Sequence, residues 1–528
     1  MQNKTSVQIL QVLLGVVIGA LVTLSVVKFQ ENRHLLRSRY QDWGKLNLIL
    51  KTVEDNYVDS VDVASITDAA VQAVLAKLDP HSMYFPPVEL AASQEDLAGN
   101  FDGIGIQFNV PNDTAIVLEV IAGGPSEKAG LMVGDRLLKV DDKVIAGVLF
   151  PQDSMVRRMK GPSGTKVTVT VKRGQEEIPF RITRGKIPVN SVDASFIARD
   201  KVGYMRLSKF SRSTFKEFHQ AAQDLLDRGM EHLILDLRDN TGGYLDQALL
   251  VCNDFLERGN VIVYMEGLKR SRELFQADGR GTLKDVGLTV LINENSASAS
   301  EILAGAIQDN DRGMVYGRRS FGKGLVQEEY DFTDKSGLRL TVARYYTPSG
   351  RCIQKPYGDY ENDIYNRYID GEIFSADSTK QDISDMHRTV NGRIVYGGGG
   401  IMPDVFVPMD TTRATDYYAR CNRKAVQMRF ASSVFDRYRD RLLSIDRYPE
   451  MDRFLKEADV AGQFRAFAAK DGITCSQAEW EKTTPYLIPQ INALVSRFSK
   501  LGENAFYKYY LPVDYTVENA VKLINNPY

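Results

Sequence analysis

The spacing of apolar positions changes along the chain, and each change predicts a different kind of element. Near the N-terminus, Val7–Val27 (VQILQVLLGVVIGALVTLSVV) carries no charged residue and is almost wholly apolar. A run of that length is about enough to cross the ~30 Å hydrocarbon core of a bilayer as a helix. Lys4 precedes it and Lys28, Arg33, Arg37 and Arg39 follow, so the flanking charges do not fix its orientation. No small-x-small cleavage site follows and no cysteine lies nearby, which predicts an uncleaved anchor rather than a removed signal peptide. Beyond it, KLNLILKTVEDNYV and ITDAAVQAVLAKL place apolar residues three and four apart, the helical spacing. LDPHSMYFPP ends that pattern with three prolines, and His81 within it reads as a turn or packing residue rather than a catalyst.

From about Phe101 to Arg184 short strands and glycine turns take over: FDGIGIQFNV, TAIVLEVI, DRLLKVDDKVI, TKVTVTVKR and IPFRITR, with SEKAG as one short helix. From about Ile187 to Pro408 strands and helices alternate. VGYMRLSKF is followed by FKEFHQAAQDLLDRG, HLILDLRDN by LDQALLVCNDFLERG, and VGLTVLIN by SASEILAGAIQDN and the strand GMVYG. LVQEEYDF and SGLRLTVARYYTP then form a β pair. Repeated strand–helix–strand text implies a mainly parallel sheet covered by helices, with sites at the strand C-termini. Past Asp410 the text becomes helical and rich in Arg, Tyr and Phe, as in RKAVQMRFASSVFDRYRDRLL and LIPQINALVSRFSKL. The expected fold class is α+β multidomain. It comprises a membrane helix at 1–29, a helical region at 30–95, a β-rich domain at 96–185, an α/β core at 186–410 and a C-terminal helical appendage at 411–528.

Composition changes this picture little. Charged residues make up 25% and the formal net charge is −2, so nothing points to a nucleic-acid partner. Cys252, Cys352, Cys421 and Cys475 form no CxxC pair, and His34, His81, His219, His232 and His387 are dispersed. No metal site and no cofactor is expected from such scatter.

Two stretches carry chemistry. Gly103-Ile104-Gly105-Ile106 is a glycine-flanked turn entering a strand, a shape able to aim successive amides at a carboxylate while the strand edge accepts an extended peptide. Followed by GGPSEKAGLMVGDRLLKVDDKVI, it resembles a PDZ domain of the circularly permuted bacterial kind, which receives a chain terminus in that loop. The second stretch is NENSASASE, just after VGLTVLIN and opening a helix. A serine there meets free N–H groups and the positive end of the helix dipole, which suits a nucleophile; serines also simply cap helices, and on this run alone both readings stand.

No GxSxG elbow occurs and no histidine sits in a recognisable triad motif; the next candidate base is the lysine of Gly322-Lys323-Gly324, which on its own reads more readily as a surface lysine in a glycine turn. Lysine can act so only if desolvation lowers its pKa from ~10.4 towards neutrality. GRRSFGK also spells seven positions of a phosphate-binding loop. The next residue is Gly324 rather than Ser or Thr, and strand-like LVQEEYDF follows where a helix is needed, so the nucleotide reading fails.

NENSASASEILAGAIQDN and GRRSFGKGLVQ, taken with DPHSMYF, LDLRDNTGG and GGIMPD, resemble the carboxy-terminal processing peptidases, also called tail-specific proteases, over roughly residues 40–408. The resemblance implies a serine endopeptidase with a core like the Clp-protease and crotonase folds and a PDZ domain that captures substrate C-termini and gates the site. It implies Ser298 as nucleophile, Lys323 as general base and Gln327 as the residue orienting it. Ala299 with Gly242 or Gly243 would supply the oxyanion-hole N–H groups, Asp309 would be a supporting acid, and Gly103, Ile104, Gly105 and Ile106 would hold the peptide carboxylate. It further implies polypeptide substrates with free C-termini and a place in the bacterial cell envelope, anchored in the inner membrane with the catalytic part in the periplasm, or exported. A homo-oligomer, an adaptor partner and the alternative of a catalytically silent PDZ adaptor are left open.

Overall fold

The computed structural model describes residues 44–111, 113–358, 360–376, 383–412 and 415–525. The expected anchor at Val7–Val27 lies outside them; among the described residues no helix is long and apolar enough to cross a membrane.

An exposed helix over 44–56 and the helix Val63–Leu75 lead to the turn at 79–82. After that turn comes a strand the helical expectation for 30–95 did not contain, Met83–Phe85. It pairs antiparallel with Gly337–Tyr346, far down the chain, with Met83 opposite Arg339. Three residues are too few for a period to show in sequence.

The β-rich domain forms an antiparallel sheet in the order Ile106–Asn109, Ala115–Val120, Arg136–Val140, Lys166–Arg173 and Glu176–Thr183, so Ile106–Asn109 lies at a free edge. Alternation decides which face is inside. Val167, Val169 and Val171 are buried while Thr168 and Thr170 between them are not, and the helix Gln152–Met159 adds Met155 and Met159 to the same core.

The α/β core is a six-stranded sheet in the order Val192–Arg199, Val202–Leu207, His232–Asp236, Gly287–Ile292, Met314–Gly317 and Val405–Phe406. Only the first pair is antiparallel. The central strands are mostly apolar and buried in all but their first residue, as parallel strands covered on both faces are. Asp236 pairs with Leu291, so the loops leaving these two neighbouring strands, LRDNTGG and NENSAS, emerge side by side. A second, five-stranded sheet carries Leu325–Asp331 and Met83–Phe85 on Gly337–Tyr346, with Val261–Gly267 and Arg270–Gln276 beyond.

The C-terminal region is helical from Asp416–Arg423 to Tyr515–Asn525 and has its own core around Phe430, Phe435, Phe454, Phe464 and Leu487. It is also built into the rest of the molecule. Leu511, Val517 and Ala520 pack with Phe196 and Tyr204 of the parallel sheet, and Arg136 of the β-rich domain meets Asp436 in a two-pronged ion pair.

Candidate active site

Ser298 is the N-cap of the helix Ala299–Asp309 and has φ 55° and ψ −113°, a strained conformation for a residue with a side chain. The two adjacent loops hold it there. Ala297 N–H and Ser300 Oγ both donate to the Asn240 carbonyl (3.0 and 2.9 Å), and Ser296 Oγ donates to Leu237 O (2.8 Å).

Lys323 lies between two glycines whose missing side chains let other backbone approach. A Cβ on Gly324 would sit 2.9 Å from Gln354 N, and Gly322 takes φ +89°. Lys323 Nζ donates to Gln327 Oε1 (3.0 Å), and Gln327 Nε2 donates to His81 O (2.7 Å). The pairing of Leu325–Asp331 with Gly337–Tyr346 slips between Val326 and Gln327, a local irregularity of the kind that re-aims a side chain. Burial is the main cause that moves the Lys323 amine below its ordinary value; the Arg339 guanidinium adds to it, and Glu301 and Asp79 oppose it.

Glu301, which the sequence reading passed over, joins the two halves. Its fully buried carboxylate accepts from Ser298 N–H and Lys323 N–H through Oε2 (both 2.8 Å), and from Gly322 N–H (2.7 Å) and Ser320 Oγ (2.6 Å) through Oε1. Burial pushes its pKa up and those four donors hold it down; burial prevails. A signal was present, because Ser298 followed three residues later by Glu301 is the capping-box spacing.

Ser298, Lys323, Gln327, Gly242 and Gly243 all open onto one cleft of about 680 Å³. In this structure Lys323 Nζ is hydrogen-bonded to Gln327, and among the described residues it makes no hydrogen bond to Ser298 Oγ. The two candidate glycines differ. Gly242 N–H already donates to Asn240 Oδ1 (2.9 Å), whereas among the described residues neither Gly243 N–H nor Ala299 N–H has an acceptor. Gly242 is pressed against the serine, and a Cβ there would lie 2.8 Å from Ser298 Cβ and 3.0 Å from Ala299 N.

Asp309, the residue that resemblance offers as a supporting acid, lies away from the cleft. It sits at the far end of the helix, roughly 16 Å along the axis from Ser298, and is sealed in an ion pair with Arg351 (2.7 Å), both side chains fully buried. It also accepts from Ser349 N–H (3.1 Å) and does not line the cleft. The carboxylates that act on Lys323 are Glu301 and Asp79. His81 stays a packing residue by its ring, which meets Tyr360 OH (2.5 Å). Burial and the nearby Lys323 charge bring its pKa down to about 4.

At the loop Gly103–Ile106, Ile104 O accepts from Ser126 N–H (2.9 Å) and Gly105 O from Ile121 N–H (3.1 Å), while among the described residues the Ile104 and Gly105 N–H groups have no acceptor. The loop leads into the free edge strand Ile106–Asn109.

The family models and a curated relative define one class of protein. Residues 201–365 match the model of peptidase family S41, and residues 103–183 match the PDZ domain. A protein of Staphylococcus haemolyticus described as "Probable CtpA-like serine protease" is 33% identical over 351 residues, 66% of this chain and 70% of that one. Among solved structures, the photosystem II D1 C-terminal processing protease is 28% identical, covering 69% of this chain and 88% of that one, with a TM-score of 0.36. The PDZ domain of a carboxy-terminal protease from Vibrio cholerae, solved with a peptide, is 30% identical over 17% of this chain and 99% of that one, with a TM-score of 0.16. The chain belongs to peptidase family S41, the serine proteases of the C-terminal processing kind that carry a PDZ domain.

Proposed function

We propose that this chain cuts polypeptides by a Ser–Lys acyl-enzyme mechanism, with Ser298 as nucleophile and Lys323 as base. The observation that carries the reading is the Glu301 clamp, one carboxylate oxygen gripping the backbones of both residues so that both side chains face one cleft. Desolvation favours the neutral amine that a base requires.

Neutral Lys323 Nζ takes the Ser298 hydroxyl proton as Oγ attacks the scissile carbonyl carbon. This needs a swing of the flexible lysine stem from Gln327 towards Oγ, of the kind that substrate binding brings about. The Ala299 and Gly243 amides receive the oxyanion, and the choice of Gly243 follows from Gly242 being committed to Asn240. Lys323 returns the proton to the leaving amine, then activates the water that clears the ester. Substrates are polypeptides with free C-termini. Their carboxylates meet the Ile104 and Gly105 amides, with the last residues added to the Ile106–Asn109 edge. An anchor at Val7–Val27 would hold this machinery at the outer face of a bacterial inner membrane.

The test is digestion of casein and of a quenched peptide with a free C-terminus. Ser298→Ala and Lys323→Ala should each lose all but a trace of turnover while still binding the peptide. Cleavage by both variants at the wild-type rate would overturn the mechanism, and peptide binding without cleavage by wild type would make the chain an adaptor.

A further inference from the structure

The Gln327 amide leaves the lone pair of a neutral Lys323 free only in one of its two orientations, with Oε1 rather than Nε2 towards the amine. The acceptor that fixes the choice is the His81 carbonyl, 246 residues away along the chain and on the N-terminal side of the PDZ domain. That carbonyl belongs to a tight turn organised by a single side chain. Asp79 Oδ1 accepts from His81 N–H (2.7 Å) and Ser82 N–H (2.8 Å), and Oδ2 accepts from Ser82 Oγ (2.7 Å). Such a carboxylate-to-amide arrangement is an Asx turn, which sets backbone direction locally.

The turn is also tied to the strand opposite Gln327. Thr341 is the pairing partner of Gln327; its Oγ1 donates to Asp79 Oδ1 (3.2 Å) and its N–H to Ser82 Oγ (3.2 Å). Met83–Phe85 then continues along the same strand, opposite Arg339. Asp79 and Ser82 are buried in this turn, His81 is half-buried and Pro80 is exposed.

We propose that Asp79 is a positioning residue for the reaction: it folds the Asp79–Ser82 turn so that the His81 carbonyl holds the Gln327 amide with its oxygen on Lys323. The N-terminal segment is therefore part of the active site, and the PDZ domain is inserted between two pieces of one catalytic unit. This inference rests on Lys323 being the base. Asp79 is not placed to touch substrate; apart from its charge near Lys323, which Asp79→Ala and Asp79→Asn both remove, its action runs through the turn and Gln327.

The experiment measures kcat and KM on a quenched peptide for Asp79→Ala and Asp79→Asn, each alone and combined with Gln327→Ala, in the full chain. Asp79→Ala should lower kcat at least about tenfold, a fraction of what general-base catalysis supplies, with KM within about twofold. Asparagine builds the same turn, so Asp79→Asn should recover to within about threefold of wild type. In the Gln327→Ala background the difference between Asp79→Ala and Asp79→Asn should vanish, because residues acting through one another are not additive. Thr341→Val, which removes one bond to Asp79, should give a smaller kcat loss that vanishes in the same background. It carries the cycle if Asp79→Ala does not fold.

The same difference between Asp79→Ala and Asp79→Asn with and without Gln327, an Asp79→Asn variant as slow as Asp79→Ala, or an effect on KM alone would each overturn the proposal. A fully active Lys323→Ala would instead overturn the mechanism beneath it.

Discussion

The two ends of the helix Ala299–Asp309 each hold a fully buried carboxylate, and the two are partnered in opposite ways. Asp309, at the C-terminal end, faces the buried guanidinium of Arg351 at 2.7 Å. Glu301, in the first turn, is bonded to no cation among the described residues. It takes three backbone N–H groups and one hydroxyl, from segments that bear the nucleophile and the base. A charge neutralised by a charge holds two elements together; a charge solvated by amides orients the loops those amides belong to. The acid that resemblance placed at Asp309 is held by Arg351 away from the cleft, and the carboxylate that joins the two catalytic segments is Glu301.

The comparison predicts different failures at the two ends. Asp309→Asn leaves Arg351 as an uncompensated buried charge and should cost about 3–5 kcal/mol of stability, read by urea denaturation, with kcat within about twofold once folded. Glu301→Gln places an amide NH₂ among donors that all need an acceptor. It should lower kcat about a hundredfold, in the range of general-base effects, and lower stability by about 1–3 kcal/mol for the donors left unpaired. If Asp309→Asn abolished turnover at full stability, or Glu301→Gln kept wild-type kcat, the contrast would break. A third case sets the floor. The ion pair between Arg136 and Asp436, where the PDZ domain meets the C-terminal helices, is about a third exposed on both sides. Arg136→Ala should therefore change stability by about 1 kcal/mol or less, and a larger loss would mean that this contact, too, is structural.

Much of this arrangement could be read from the chain. The helical and strand spacings found the alternating core, and the motifs around Ser298, Lys323 and Gln327 found residues that the fold gathers into one cleft. What escaped the reading was pairing across long separations. Nothing near Gln327 announces that its amide will meet His81, and nothing near Asp309 names Arg351. The strand Met83–Phe85 is too short to show a period, and its partner lies some 250 residues on. Gly242 and Gly243 are indistinguishable as letters; only the Asn240 side chain, which occupies one N–H, separates them. Glu301 was legible as a capping-box residue, but its second role appears only when Gly322 and Lys323 fold back onto it.

The central claim, that Lys323 works as a neutral amine, is tested most directly by the pH dependence of kcat/KM for the quenched peptide. A base must be unprotonated, so activity should rise with pH through the Lys323 pKa. Burial and Arg339 both lower that pKa, so the midpoint should lie clearly below the ~10.4 of an ordinary lysine. Arg339→Ala, by removing a nearby positive charge, should move the midpoint upward. A midpoint at ~10.4, or an acid limb that survives unchanged in Lys323→Ala, would contradict the account.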